Sequence, residues 1–131
     1  MPSLKEIMSR LRELGLESEY RYRAETRRIP ECLDASETLR GITSGIRSGR
    51  RWMILVTEGR ILLLTKPTIS SPDLIALDRT DIRDVTTERG LIFGTVTIVT
   101  EKDSYTFSNV LKKSLPTFIS AASPNTDKDS E

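Results

Sequence analysis

The stretch Arg51-Trp-Met-Ile-Leu-Val-Thr-Glu-Gly-Arg-Ile-Leu-Leu-Leu-Thr65 is the most apolar part of the chain. Glu58-Gly59 splits it into two runs. Each run is too short for a helix, and the split falls where a hairpin turns. Short apolar runs bounded by turn residues are strands. The stretch therefore predicts an adjacent pair, near 51–57 and 60–66, at the centre of a small β-rich domain.

Downstream, the same logic predicts more short strands. Lys66 to Pro72 holds two prolines and two serines and reads as a loop. Strands follow at Leu74–Leu77, Ile82–Thr87, Leu91–Thr100 and Ser104–Ser108, separated by turns at 78–81, at Glu88-Arg89-Gly90 and at 101–103. Val96 and Ile98 alternate with threonines, as on a half-buried strand. Asn109 is placed to cap a last helix with an apolar stripe of Leu111, Leu115, Phe118, Ile119 and Ala122. Pro116 either kinks that helix or sits in its first turn, the true start then being near Ser114. Residues 123–131 have nothing to bury and are expected to form a disordered polar tail.

Upstream, Gly41, Gly45 and Gly49 have even spacing, which puts them on one side of a strand starting near Leu39. A strand face without side chains bends sharply or admits another backbone. Ser3 and Glu6 form a capping box opening a helix over 3–14, which Gly15 ends. Its apolar face is Leu4, Ile7, Met8, Leu11 and Leu14, expected to dock on the chain's own sheet or on a second copy. Residues 17–28 read as a polar helix with Glu17–Arg21 and Glu19–Arg23 at i, i+4. Arg21, Arg23, Arg27 and Arg28 read as a solvated charged face. Ile29-Pro30 is expected to break this helix.

Seven short strands joined by tight turns leave no crossover long enough for a parallel sheet. The expected fold is α+β, mainly β. It is a strongly bent antiparallel sheet or partly open barrel, closed by the C-terminal helix and preceded by a helical extension.

Composition narrows the function. A chain of 131 residues supports one domain. The net charge of +1 disfavours a dedicated nucleic-acid binder, and the strands offer no cluster of aromatics for base stacking. Absence of histidine removes the commonest general base and metal ligand, so no metal and no cofactor are expected. The lone Cys32 excludes an internal disulfide and reads as a buried or half-buried small residue. No apolar run approaches the ~20 residues that span a bilayer, and the N-terminus lacks a signal-peptide core, so a cytoplasmic location is expected. There is no nucleophile elbow and no phosphate-binding glycine loop.

The order of elements from Leu39 to Ile119 resembles the pleckstrin-homology (PH) fold. The segment Val56-Thr-Glu-Gly-Arg-Ile-Leu-Leu-Leu64 is similar to bacterial PH-like domains of the YokE-like group. Leu77-Asp-Arg-Thr-Asp-Ile82, the turn at Gly90 and the strand Gly94–Thr100 are similar to that group's later half. The resemblance implies a division into an N-terminal helical extension (1–30), a PH-like domain (31–122) and the tail (123–131). It implies no catalytic residues.

Arg47, Arg50 and Arg51 surround the turn at Ser48-Gly49. In the best-known eukaryotic PH domains, the loop between the first two strands holds phosphoinositide headgroups, so these three are the candidate anion or lipid site. An arginine fork bonds phosphate oxygens in pairs. The face of Leu4, Ile7, Met8, Leu11 and Leu14 is the candidate interaction surface. Together these give a non-catalytic module for protein–protein association or self-assembly. The alternative is peripheral binding to anionic membranes through the arginine loop.

Overall fold

The computed structural model describes residues 3–20, 24–66 and 73–123. Seven strands form one open antiparallel sheet in the order β4-β3-β2-β1-β7-β6-β5. They are β1 (Gly41–Arg47), β2 (Arg50–Val56), β3 (Arg60–Leu64), β4 (Leu74–Asp78), β5 (Ile82–Arg89), β6 (Phe93–Thr100) and β7 (Ser104–Leu111). Among the described residues four α-helices complete it: α1 (Leu4–Glu13), α2 (Glu17–Tyr20), α3 (Ile29–Cys32) and α4 (Leu115–Ala122). The expected strongly bent sheet with helices at both ends of the chain is present.

The central hairpin explains its own sequence. Trp52, Ile54 and Val56 of β2 and Ile61 and Leu63 of β3 point into the bend, onto Val96, Ile98, Phe107 and Phe118. The alternate residues Met53, Leu55, Leu62 and Leu64 point outward into a second core. That core is roofed by Ile7, Leu11, Leu16, Tyr20, Ile29 and Leu33 of the N-terminal segment. A strand buried on both faces reads as a continuous apolar run. The central run is continuous because the N-terminal helices cover its outer face.

The roof is built from local signals. Ser3 Oγ accepts from Glu6 N at 3.1 Å and Glu6 Oε1 accepts from Ser3 N at 2.8 Å, the reciprocal capping box. At the other end Gly15 adopts φ +76°, Gly15 N bonds Arg12 O, and Leu16 N reaches back to Leu11 O at 2.9 Å. This doubly bonded cap swings the buried Leu16 into the second core.

The glycine stripe of β1 admits its neighbours. A Cβ on Gly41 would lie 2.8 Å from Ala121 Cβ on α4, and one on Gly45 would lie 2.8 Å from Ser108 O on β7. Glycine is required at both positions. Gly49 serves differently. The strand ends at Arg47, and Ser48 (φ +54°) and Gly49 (φ +75°) make a two-residue turn in the left-handed region, which suits the twist of a tight hairpin.

Several expectations are corrected, and one open choice is decided. Pro30 does not break a helix; it lies in the first turn of α3, where its missing N–H costs nothing. It follows a 3-10 turn at Ala24–Arg28 rather than a continuous helix. Of the two expected places for Pro116 the second holds: it sits in the first turn of α4, capped at Ser114 after a 3-10 turn at Lys112–Ser114, so there is no kink. Asn109 is not a cap: β7 continues to Leu111, and Asn109 (φ +56°) lies where the β6–β7 register shifts. Asparagine tolerates this geometry better than most residues. Last, β6 starts at Phe93; Leu91 and Ile92 form the turn itself, closed by Gly90 N to Phe93 O at 2.8 Å. The expected 66–72 loop beyond Lys66, the Glu17–Arg21 and Glu19–Arg23 pairs and the 123–131 tail beyond Ser123 fall outside the described residues.

Candidate interaction surface at the open end

The β1–β2 turn sets three arginines at one end of the bent sheet. Arg47 and Arg50 are paired across the hairpin, and Arg51 stands opposite Ile46. Like charges directly opposite repel, and here aromatic rings hold them. The Arg47 guanidinium lies 5.0 Å from the Tyr105 ring centre, and that of Arg50 lies 5.3 Å from Trp52. Arg50 Nη2 also donates to Lys66 O at 2.7 Å. Arg51 is exposed, and its carbonyl accepts from Thr65 Oγ1. Arg47 and Arg50 thus share one face of the hairpin, each stacked on a ring, while Arg51, the next residue along β2, points to the opposite face.

Most of the other described arginines are ion-paired, Arg27, Arg79 and Arg89 being the exceptions among the described residues. Arg10, Arg12, Arg28, Arg40, Arg60 and Arg83 each face a carboxylate within 4.0 Å. Among the described residues no carboxylate pairs with Arg47, Arg50 or Arg51. Beside Tyr105 opens a cleft of about 270 Å³ lined by Leu77, Asp81, Glu101, Lys102 and Asp103, among others. Among the described residues the end therefore carries arginines without carboxylate partners next to a cleft of mixed charge, where Glu101 pairs with Arg83.

The predicted apolar face of α1 is placed elsewhere. Ile7 and Leu11 are buried in the second core, Met8 and Leu14 pack half-buried against it, and Leu4 is exposed. Arg10 Nε donates to Leu39 O at 2.6 Å and fastens the helix to the strand that follows. Arg28, read as part of a solvated face, donates to Thr65 O and Asp73 and ties the helical layer to the end of β3.

Two polar features are structural. Glu37 bonds the Arg60 guanidinium and the Thr57 hydroxyl, and Arg60 holds its carboxyl down at about 2. Cys32 is half-buried; burial raises its thiol, which donates to Arg28 O, so it lacks the thiolate character that makes a cysteine reactive. Trp52 packs in the inner core rather than outward, with its indole Nε1 unpartnered among the described residues. A wider cleft of about 600 Å³ lies between α4 and the β2–β3 turn, but its cations are engaged. There Arg40 faces Glu58, and Arg79 donates to Thr57 O and Ser123 O. Among the described residues no cluster of three His, Cys, Asp or Glu could hold a metal, and no helix is long and apolar enough to cross a membrane.

A bent, open antiparallel sheet with a helix closing one end defines a PH-like domain, a class of interaction modules that are in general non-catalytic. The sequence profile described as "Bacterial PH domain" matches residues 33–123. The chain belongs to that family. No curated protein matches it. Among solved structures, the chain is similar to the C-terminal domain of an unknown protein from Leishmania infantum. That likeness has 13% identity, covers 64% of this chain and 79% of the other, and has a TM-score of 0.46.

Proposed function

We propose that this PH-like domain is a non-catalytic module for protein association, and that the open end around Arg47, Arg50 and Arg51 is its contact surface. The observation that supports this reading is the mixed charge of that end. Arg47, stacked on Tyr105, stands beside a cleft holding Asp81, Glu101, Lys102 and Asp103, and among the described residues no carboxylate pairs with Arg47, Arg50 or Arg51. A flat anionic membrane laid on this end would press those carboxylates against its own phosphates. A protein can match both signs, because its charges are placed one by one. Rigid arginines stacked on rings also lose little freedom on binding and suit the centre of a contact. The apolar face of α1 is largely spent inside the fold and leaves only Leu4 for an outside partner.

The test compares the wild type with Arg47→Glu/Arg50→Glu/Arg51→Glu, both immobilised and challenged with extract of the source cells. Light scattering over a range of concentrations reports self-association. The expected result is a retained protein, or an oligomer, that the wild type forms and the variant loses at unchanged melting temperature. Identical behaviour of the two proteins would remove the open end as the contact. Salt-sensitive binding to anionic vesicles that the triple variant abolishes would favour the membrane reading of the same residues.

A further inference from the structure

The β5–β6 hairpin ends in an apolar point. Leu91 is 93% exposed, Ile92 70% and Phe93 42%, three large apolar residues in succession at the tip of a turn. Nothing in the fold needs them outside, since the strand alternation that buries Val96 and Ile98 begins only after Phe93. Isolated exposed apolar residues are unremarkable, but a continuous protruding group marks a surface that is covered in use.

The backbone of the tip is unusually well provided for. Lys112 Nζ donates to Gly90 O at 3.1 Å and to Leu91 O at 2.9 Å. Gly90 N is bonded to Phe93 O. Unpaired carbonyls are what normally keeps a turn out of a low-dielectric phase. Here the carbonyls of Gly90, Leu91 and Phe93 are already bonded, the first two by a cation. Arg89, exposed on the strand leading into the turn, carries no ion pair among the described residues, while Glu88 beside it is the nearby acid in sequence. Lys113 follows Lys112 at the base of α4. An apolar point with cations at its shoulders matches the layering of a bilayer surface, with hydrocarbon beneath a plane of anionic headgroups.

We propose that the Leu91-Ile92-Phe93 tip inserts into the interfacial region of an anionic lipid bilayer, with Lys112 and Arg89 at the level of the headgroups. The tip sits at the Leu111 end of β7 and the arginine turn at the Tyr105 end. At a strand rise of ~3.3 Å per residue the two are about 20 Å apart along that strand. Lipid contact at the tip thus leaves the open end for a second partner.

The test is co-sedimentation of the full chain with phosphatidylcholine vesicles, with and without phosphatidylserine. The wild type is expected to bind the phosphatidylserine vesicles more strongly, with binding weakened but not abolished by salt. Leu91→Ser/Ile92→Ser is expected to weaken binding at least tenfold, and Lys112→Glu to remove the preference for phosphatidylserine. Both Leu91 and Ile92 are exposed, so an unchanged melting temperature checks that the fold survives. Arg47→Glu/Arg50→Glu/Arg51→Glu is expected to bind as the wild type does. Absence of vesicle binding overturns the proposal and points to an apolar protein pocket as occupant. Binding that survives Leu91→Ser/Ile92→Ser overturns it as well. Binding lost only in the triple arginine variant transfers lipid contact to the open end and overturns both this proposal and the protein reading of that end.

Discussion

The two halves of the sheet are treated differently. β2 and β3 are buried on both faces, with the inner core on one side and the N-terminal helices on the other. β5 and β7 are buried on one face only; Arg83, Asp84, Thr86 and Glu88 of β5 lie exposed. The same curved sheet is thus a three-layer structure on one side and a two-layer structure on the other. The N-terminal segment is part of the fold, although the family match begins only at residue 33. The surfaces proposed for partners are the β1–β2 turn and the β5–β6 tip, at opposite ends of β7.

Removing the helical roof is the most severe perturbation of the covered half. Deleting residues 1–28 strips Met53, Leu55, Leu62 and Leu64 of their outer cover and exposes a contiguous apolar patch. The expected result is loss of soluble monomer, read by size exclusion with light scattering. A well-behaved monomer with an unchanged melting temperature would mean that the helices are an appendage.

Single truncations sharpen the same point. Ile54→Ala empties the inner core and Leu55→Ala the outer one, both residues being fully buried. Each is expected to cost roughly 2–5 kcal/mol in denaturant unfolding. A much smaller cost for Leu55→Ala would show a loosely packed second layer.

Acid tests the tie between the layers. Glu37 titrates at about 2 when folded, against 4.5 as its ordinary value, chiefly because Arg60 bonds it. A lowered folded pKa contributes stability that is complete above about 4.5 and is lost as pH falls towards 2. Glu37→Gln is expected to be less stable at pH 7 by about 1–3 kcal/mol. It should also show a shallower loss of stability over the pH window from 4.5 to 2. Parallel acid curves for the two proteins would contradict the assigned pair. The smallest effect belongs to the bare half: Thr86→Ala, on the exposed face of β5, is expected to change stability by no more than about 0.5 kcal/mol.

The legible parts of this fold are those whose cause is local. The capping box at Ser3, the turn at Ser48-Gly49 and the alternation at Val96 and Ile98 each lie within a few residues, and each is where the pattern put it. The β2–β3 run was readable as strands, but the reason for its continuity, a second core, depends on helices far upstream. Arg28 reads as solvent-facing because its partner Asp73 is 45 positions away. Leu91 and Ile92 mislead for another reason. An apolar pair at the mouth of a strand and an apolar pair at the tip of a turn have the same composition, and only the hydrogen bond from Gly90 to Phe93 separates them. At the candidate site, the position of the three arginines follows from the turn. That no carboxylate pairs with them among the described residues is a matter of three-dimensional placement that spacing does not carry.

The most direct measurement is the paired retention of proteins from source-cell extract by the wild type and by Arg47→Glu/Arg50→Glu/Arg51→Glu, at matched stability. The account predicts a partner, or a second copy of the chain, held by the wild type and absent from the variant. The same proteins retained equally by both would contradict it and move the contact surface away from the open end.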